Sequence, residues 1–265
     1  MSKNRIITLL TDFGLSDVYA GVMKGAIAQI NPQLKVIDIT HQIPSQNIAA
    51  GRFCLMTAFA YFPPETVHVA VVDPGVGSKR RPVAIKCANC WLVGPDNGLF
   101  SGVLSRESAR SSVELTNSQY WRTPQPSSTF HGRDIFAAAG AHLANGVALE
   151  DLGEPIDPAS LVELEIPNCA VTATGAAGCI QYVDRFGNLI TNIPNNCIIG
   201  NNWSVTISNS PEPIRIPSGK TYTDSKPGDL IAITGSDGWL EIAVNGGSAQ
   251  SVLQLQFGDK IEIIY

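Results

Sequence analysis

The chain has 265 residues, 44% hydrophobic and 15% charged, with a formal net charge of −5, which is enough to bury a sizeable core in one large domain or two ordinary ones. That acidic balance, with Lys79-Arg80-Arg81 as the single basic cluster, argues against a nucleic-acid partner, and no apolar run has the length of a membrane span. The start lacks the apolar core and small-residue cleavage site of a secretory leader, and six cysteines in a chain this long do not read as a disulfide scaffold, so a cytoplasmic location is expected. In chain order, Ile6 to Leu10 predicts a buried strand ending at Thr11-Asp12-Phe13-Gly14, and Tyr19 to Ile30 follows with helical apolar spacing. Asp12 and Asp17 flank Gly14 at that strand end, where a carboxylate can grip ribose hydroxyls or a metal. Asp17 is placed to cap the helix, whereas Asp12 precedes it by too many residues. Val36 to Ile39 reads as a second strand, Ile48 to Tyr61 as a second helix and Val67 to Val72 as a third strand, an alternation that predicts a layered α/β sheet.

The third strand runs into Asp73-Pro74-Gly75-Val76-Gly77-Ser78-Lys79-Arg80. Pro74 cannot extend a ladder and the glycines admit a tight turn, so Asp73 falls at a strand's carboxyl end, the rim at which open α/β sheets bind ligands. Arg80 returns close enough to pair with it. Cys87-Ala88-Asn89-Cys90 has metal-ligand spacing but no second pair or nearby histidine, and it reads as a hairpin turn between Val83–Lys86 and Trp91–Val93. Further on, Ser127 to Asp134 is a polar loop ahead of the helical run Ile135 to Leu143, which places His131 just before a helix. An Asp-Pro-Gly by itself is a common turn and a single histidine is commonly structural. An aspartate, an arginine and a histidine on two loops around one strand edge point to proton handling. Asp38, His41, His68 and His142 are expected in structural roles, His142 late in a helix where a charge suits the dipole.

After Pro167 the pattern changes to short strands broken by Gly, Asn and Pro: Cys179–Asp184, Leu189–Ile193, Trp203–Ile207, Leu230–Ile233, Leu240–Val244 and Lys260–Ile264. Trp203, Val205 and Ile207 alternate with Ser204 and Thr206, and Leu240, Ile242 and Val244 with Glu241 and Ala243, so one face of each is expected to be buried. A smaller antiparallel β-barrel without a helix follows, dividing the chain into residues 1–167 and 168–265. Asp184-Arg185-Phe186-Gly187-Asn188 reads either as a hairpin turn or as an aromatic and an amide that bind a base. There is no P-loop, no complete dinucleotide fingerprint, no Gly-x-Ser-x-Gly elbow and no zinc-spaced histidine pair, so nucleotide triphosphates, NAD and the common hydrolase machineries are not expected.

Thr11-Asp12-Phe13-Gly14, Val72 to Gly77, Gly94-Pro95-Asp96-Asn97-Gly98, Phe130 to Asp134, Phe186-Gly187-Asn188 and Leu240 to Asn245 together resemble the SAM hydroxide adenosyltransferase family (DUF62), which is similar to the fluorinases and chlorinases that use S-adenosyl-L-methionine (SAM). The resemblance implies an α/β N-terminal domain, a β-barrel C-terminal domain and a homotrimer whose sites lie between one subunit's first domain and its neighbour's second. It implies cleavage of SAM by water to adenosine and L-methionine, with no metal or further cofactor. On it, Asp73, Arg80 and His131 match the family's Asp-Arg-His triad, which positions water and accepts its proton. Asp12 is expected on the ribose hydroxyls, Asp184 and Ser236 on methionine's amino and carboxylate ends, and Asn188 and the Val244 backbone on the adenine edge. Glu241 is a further candidate whose facing is unassigned, and Ser45 and Ile190 stand where the halogenases carry bulkier aromatics. A carboxylate beside the nucleophile repels chloride by ~4 kcal/mol at about 4 Å and an effective dielectric of about 20, which favours water. The alternatives are a SAM-dependent halogenase, a protein that binds adenosine or SAM without turnover, and a metal-dependent hydrolase built on Asp12, Asp73 and His131.

Overall fold

Every residue of Ile7-Thr8-Leu9-Leu10-Thr11 is buried, as a strand must be when a sheet is covered on both faces. In the computed structural model, which describes residues 6–200, 203–207 and 213–265, this strand, β1 (Ile7–Thr11), lies between β2 (Val36–Thr40) and β3 (Thr66–Val71), both parallel to it. Beyond β3 come β4 (Pro82–Lys86), β5 (Cys90–Pro95), β6 (Ser111–Glu114) and β7 (Glu154–Ile156), in the spatial order β2-β1-β3-β5-β4-β6-β7. β5 is parallel to β3, and the remaining pairs are antiparallel. The expected Cys87–Cys90 hairpin joins β4 to β5, with the Cys87 N–H donating to the Cys90 carbonyl at 2.9 Å. The chain divides into two units, the first ending at Leu164 and the second beginning at Glu165.

Helices cover the first sheet because their apolar stripes match it: Met23 and Ile27 of α1 (Tyr19–Ile30) share a core with Val67, Val69, Phe136 and Leu143. α2 (Ile48–Ala58) is capped by Asn47, whose side chain accepts from the Ala50 N–H, and packs beside the short α3 (Ser101–Leu104). α1 starts after Val18 with no side-chain cap, so Asp17 does not play the capping role expected of it. The helix expected from Ile135 starts earlier: a π-helical turn, Gly132–Phe136, follows His131 directly and runs into α4 (Ala137–Ala144). Three structural histidines take their places in this unit. His68 shares a 2.7 Å hydrogen bond with the Thr8 hydroxyl, and burial pushes its ring down to about 4. His41 bonds Thr11 at 2.8 Å. His142 packs edge-on to Tyr120, and burial lowers its pKa, so the helix-end charge expected of it is disfavoured.

The strand ladders of the second unit are antiparallel, comprising β8 (Ala170–Thr172), β9 (Gly175–Val183), β10 (Leu189–Pro194), β11 (Ser204–Ile207), β12 (Ile214–Pro217), β13 (Leu230–Thr234), β14 (Trp239–Val244) and β15 (Lys260–Ile264). Their order is β12-β11-β15-β9-β10-β14-β13, with β8 on β9. A bridge from Ser218 to Ala232 brings β12 to β13, so the sheet closes on itself almost completely. Trp203, Val205 and Ile207 enter the core as their alternation requires. On β14 the alternation fails, because Glu241 and Ala243 are buried as well, Ala243 against Ile231 and Ile233. A short helix, α5 (Ala249–Leu253), capped by Ser248, also departs from the helix-free expectation. Among the described residues no helix is long and apolar enough to cross a membrane.

Candidate active site

The end of β3 presents Asp73 because Pro74 stops the ladder and the chain turns twice, Val76 N–H to the Asp73 carbonyl and Ser78 N–H to the Gly75 carbonyl. Gly77 is required there: its φ is +76°, and a Cβ would lie 2.4 Å from the Ser128 carbonyl oxygen. That close approach sets the turn carrying Arg80 against the loop carrying His131. The turn is braced from behind, since the Asn97 amide donates to the Val72 carbonyl at 2.9 Å, and Asp96 holds Arg81 through Nε at 2.9 Å and Nη2 at 2.6 Å.

Arg80 grips Asp73 with two N–H groups, Nε to Oδ1 at 2.9 Å and Nη2 to Oδ2. Its Nη2 also lies 3.0 Å from Nδ1 of His131, and its guanidinium stacks 5.1 Å over the Phe136 ring. The side chains of Arg80 and Asp73 are 9% and 5% exposed, so the pair is shielded from water. Burial and the Arg80 charge push the His131 pKa down, partly offset by Asp73 and Asp134. Asp134 is fully buried. Burial opposes its charge, but hydrogen bonds from Arg133, the Ser127 N–H and Arg122 hold its carboxyl well below the usual carboxylate range. These bonds fasten the 122–127 segment to the helix that begins at His131.

Asp73 and His131 share the wall of a cavity of about 400 Å³ with Asp12, Ser45, Gln46, Phe13 and Tyr19. Arg80 stands behind that wall. Asp12 accepts the Gln46 N–H on Oδ2 at 2.8 Å, which holds Gln46 in a left-handed conformation (φ 64°) beside Ser45. Phe13, Tyr19 and Phe130 form a cluster of edge-to-face rings at the cavity's side, with centroids 5.3 to 5.9 Å apart. Of the residues expected in the first unit, the structure therefore assembles Asp12, Asp73 and His131 around one space, with Arg80 supporting the last two.

In the second unit, Asn188 and Val244 line a separate cavity of about 460 Å³ together with Phe186, Tyr222, Gly246 and Gly247. Asp184 is drawn into the turn: Oδ1 accepts the N–H groups of Phe186 at 2.9 Å and Asn188 at 2.8 Å, and Oδ2 accepts the Asn188 amide N–H at 3.0 Å. Glu241 is buried and accepts the Tyr222 hydroxyl at 2.7 Å. Burial first, then Asp184 and Asp237, raises the Glu241 pKa against the lowering effect of that bond. Ser236 lies apart on the exposed turn between β13 and β14 and does not line this cavity. Phe136, Gln46 and Tyr222 were not singled out by sequence. Only the π-turn at Phe136 marks its site in retrospect, since such turns cluster at functional positions.

A strand-end carboxylate, a buried guanidinium and an imidazole held together on one cavity of about 400 Å³ form a small-molecule site whose groups are suited to proton handling. Residues 7–153 match the SAM hydroxide adenosyltransferase N-terminal domain and residues 178–262 its C-terminal domain, and the chain belongs to that family. It is 37% identical over 264 residues, 99% of each chain, to the (R)-S-adenosyl-L-methionine hydrolase of Salinispora tropica. A crystal structure of an uncharacterized conserved protein from Thermotoga maritima superposes with a TM-score of 0.91 at 36% identity, covering 98% of this chain and 100% of that one. A fluorinase from Actinopolyspora mzabensis is more distant, at 24% identity over 290 residues, 97% of this chain and 96% of that one.

Proposed function

We propose that this protein hydrolyses SAM to adenosine and L-methionine by attack of water at ribose C5′, without a metal or cofactor. The supporting observation is the Asp73–Arg80–His131 cluster on the wall of the Asp12 cavity, in a chain that matches a SAM hydrolase along nearly its whole length. Methionine leaves as a neutral thioether, so its departure needs no acid. Water is the demanding partner: it must be oriented and must lose a proton.

A guanidinium only donates. Nδ1 of His131 therefore accepts from Arg80, and the neutral ring carries its proton on Nε2. In that tautomer His131 orients water by donating to it. Asp73 keeps a lone pair on each oxygen beyond those that Arg80 occupies, and it takes the proton as the water oxygen bonds to C5′ and the C5′–S electron pair passes to sulfur. Arg80 positions both groups. Asp12, with Oδ1 unused by Gln46, is assigned to the ribose hydroxyls, and Asn188 with Val244 to the base. We place the protein in the cytoplasm as a homotrimer, each site completed by the first unit of one copy and the second unit of another.

Incubation of the purified protein with SAM, followed by chromatography, should yield adenosine and methionine in equal amounts with or without EDTA. Intact SAM overturns the reading, and activity lost to EDTA and restored by a divalent ion overturns the metal-free mechanism. Light scattering should give a trimer, and a fully active monomer refutes the shared site.

A further inference from the structure

The loop that carries Asp12 follows β1 directly, and its hydrogen bonds converge on the stretch that begins with His41, just after β2. The Gly14 N–H donates to the His41 carbonyl at 2.7 Å, and the Ile43 N–H donates to the Thr11 carbonyl at 3.4 Å. The Thr11 hydroxyl shares a 2.8 Å hydrogen bond with Nδ1 of His41 and accepts the Phe13 N–H at 3.2 Å. On the far side of the ring, Nε2 lies 3.2 Å from Oδ1 of Asp38, at ion-pair distance but out of line for a hydrogen bond. Oδ2 of Asp38 accepts from Nζ of Lys24 at 2.6 Å. Burial opposes the Asp38 charge, but Lys24 and His41 hold its carboxyl below the ordinary value. The His41 side chain is 1% exposed, so these partners decide its tautomer. In a neutral ring the proton belongs on Nε2, facing a carboxylate that can only accept. Nδ1 then takes the Thr11 O–H, and the Thr11 oxygen is left to accept the Phe13 N–H. The opposite tautomer sets a lone pair against Asp38 and leaves the proton of the fully buried Thr11 hydroxyl to find another acceptor. One chain of contacts thus links Asp38 through His41 and Thr11 to the backbone beside Asp12.

We propose that His41 is a positioning residue, which through Thr11 fixes the loop so that the free oxygen of Asp12 meets the ribose hydroxyls of the substrate. The inference rests on the assignment of Asp12 to those hydroxyls, and it gives His41 more than the structural role expected from sequence. A histidine serving the core alone affects all ligands equally. One that aims Asp12 affects only ligands with hydroxyls for Asp12 to accept. Hydroxyls donated to a carboxylate separate adenosine from 2′,3′-dideoxyadenosine by about 10- to 100-fold.

Calorimetry with the two nucleosides on the full-length protein should show that preference. Thr11→Val keeps the β-branched shape in the strand but removes the hydroxyl between His41 and Phe13, and His41→Leu removes Nδ1. Both should cut the preference at least about fivefold, with dideoxyadenosine bound within about twofold of the parent. His41→Asn should keep most of the preference, because its amide oxygen falls near the place of Nδ1 and accepts the Thr11 O–H. Melting curves show which variants are folded, and if His41→Leu unfolds the chain, the nearly isosteric Thr11→Val carries the test. Equal losses for both nucleosides, or a preference that His41→Asn loses as fully as His41→Leu, overturn the positioning role. A parent that prefers adenosine, with the same preference in folded Thr11→Val, refutes this inference alone. A parent that binds the two nucleosides equally, or neither, refutes the Asp12 assignment with it.

Discussion

Asp73→Asn tests the proposed reaction most directly, and its cost can be worked from the geometry. The substitution keeps the shape but replaces one oxygen by an NH₂, so one of the two Arg80 N–H groups meets a donor instead of an acceptor. Removing one partner of a buried ion pair costs about 3–5 kcal/mol. Here the loss is smaller, because the Asn oxygen still accepts one N–H, His131 Nδ1 accepts another, and the Phe136 face still lies against the cation. A destabilisation of about 2–3 kcal/mol is expected, which for a unit of this size lowers the melting temperature by about 5–10 °C. Turnover should fall by roughly 10² or more, the scale of a lost acid-base group. Substrate affinity should survive within about tenfold, or ~1.4 kcal/mol, because ribose and base are assigned to Asp12 and Asn188. Scanning calorimetry, single-turnover product release and titration with SAM, all well below the transition, separate the three quantities. Turnover close to the parent's in a folded Asp73→Asn protein would falsify the water-activating role, and a loss of affinity that accounts for the whole defect would move Asp73 from chemistry to binding.

The remaining expectations concern the same cluster and the core beside it. The Asp73→Asn, His131→Ala double variant should lose little more turnover than the worse single one, because groups acting on one water are not additive, and fully multiplicative losses in single-turnover rates contradict that. Millimolar chloride or fluoride should not give 5′-halo-5′-deoxyadenosine by mass spectrometry, but the margin is narrower than Asp73 alone suggests. Arg80, about 3 Å behind the carboxylate, returns about half of the ~4 kcal/mol repulsion and leaves about 2 kcal/mol, or roughly 30-fold against halide; a halide product as the main species reverses the assignment. His68 sets an acid limit. Its folded pKa of about 4 lies below the ordinary value of about 6.5, so the unfolded chain takes up a proton that the folded one resists, and about 3 kcal/mol of stability present above pH 6.5 is lost as pH falls towards 4. A His68→Asn protein should show a flatter urea-midpoint profile between pH 7 and 4, and a profile as steep as the parent's excludes His68 as the cause.

Much of the site was legible because its parts are close in sequence or announced by turn chemistry. Asp73 and Arg80 lie on one proline- and glycine-shaped turn, and the pair follows from the reversal that the turn enforces. His131 was identified by residue type and loop position, but its partner atom was not, since only the approach of Gly77 to the Ser128 carbonyl brings the two loops together. Phe136 reads as an ordinary apolar residue of a helix, and nothing local says that it lies under a guanidinium. In the second unit the long alternating strands were found, whereas β12 has four residues next to Pro213 and α5 has five, too few to display a period. Glu241 stayed unassigned for a different reason: alternation sets it opposite Leu240 and Ile242 without saying what it faces, and β14, paired on both edges by β10 and β13, is buried on both faces, with Tyr222 supplying the hydrogen bond that makes burial of Glu241 tolerable.

The arrangement of charge explains why an arginine occupies the centre of this cluster. A lysine ammonium is a compact point charge, whereas the guanidinium is a planar fork whose Nε and Nη2 match the two oxygens of Asp73, and the same Nη2 also reaches Nδ1 of His131. One cation thus performs two tasks. It grips both carboxylate oxygens of Asp73, which lines the cavity, and with burial it disfavours the imidazolium of His131, whose Nδ1 accepts from it so that the neutral ring carries its proton on Nε2. In the proposed reaction a water between them would meet an acceptor on one side and a donor on the other, which is the polarity needed to hold it in one orientation and withdraw one proton. The flat face that this fork presents to Phe136 closes the remaining side without adding a competing hydrogen-bond partner.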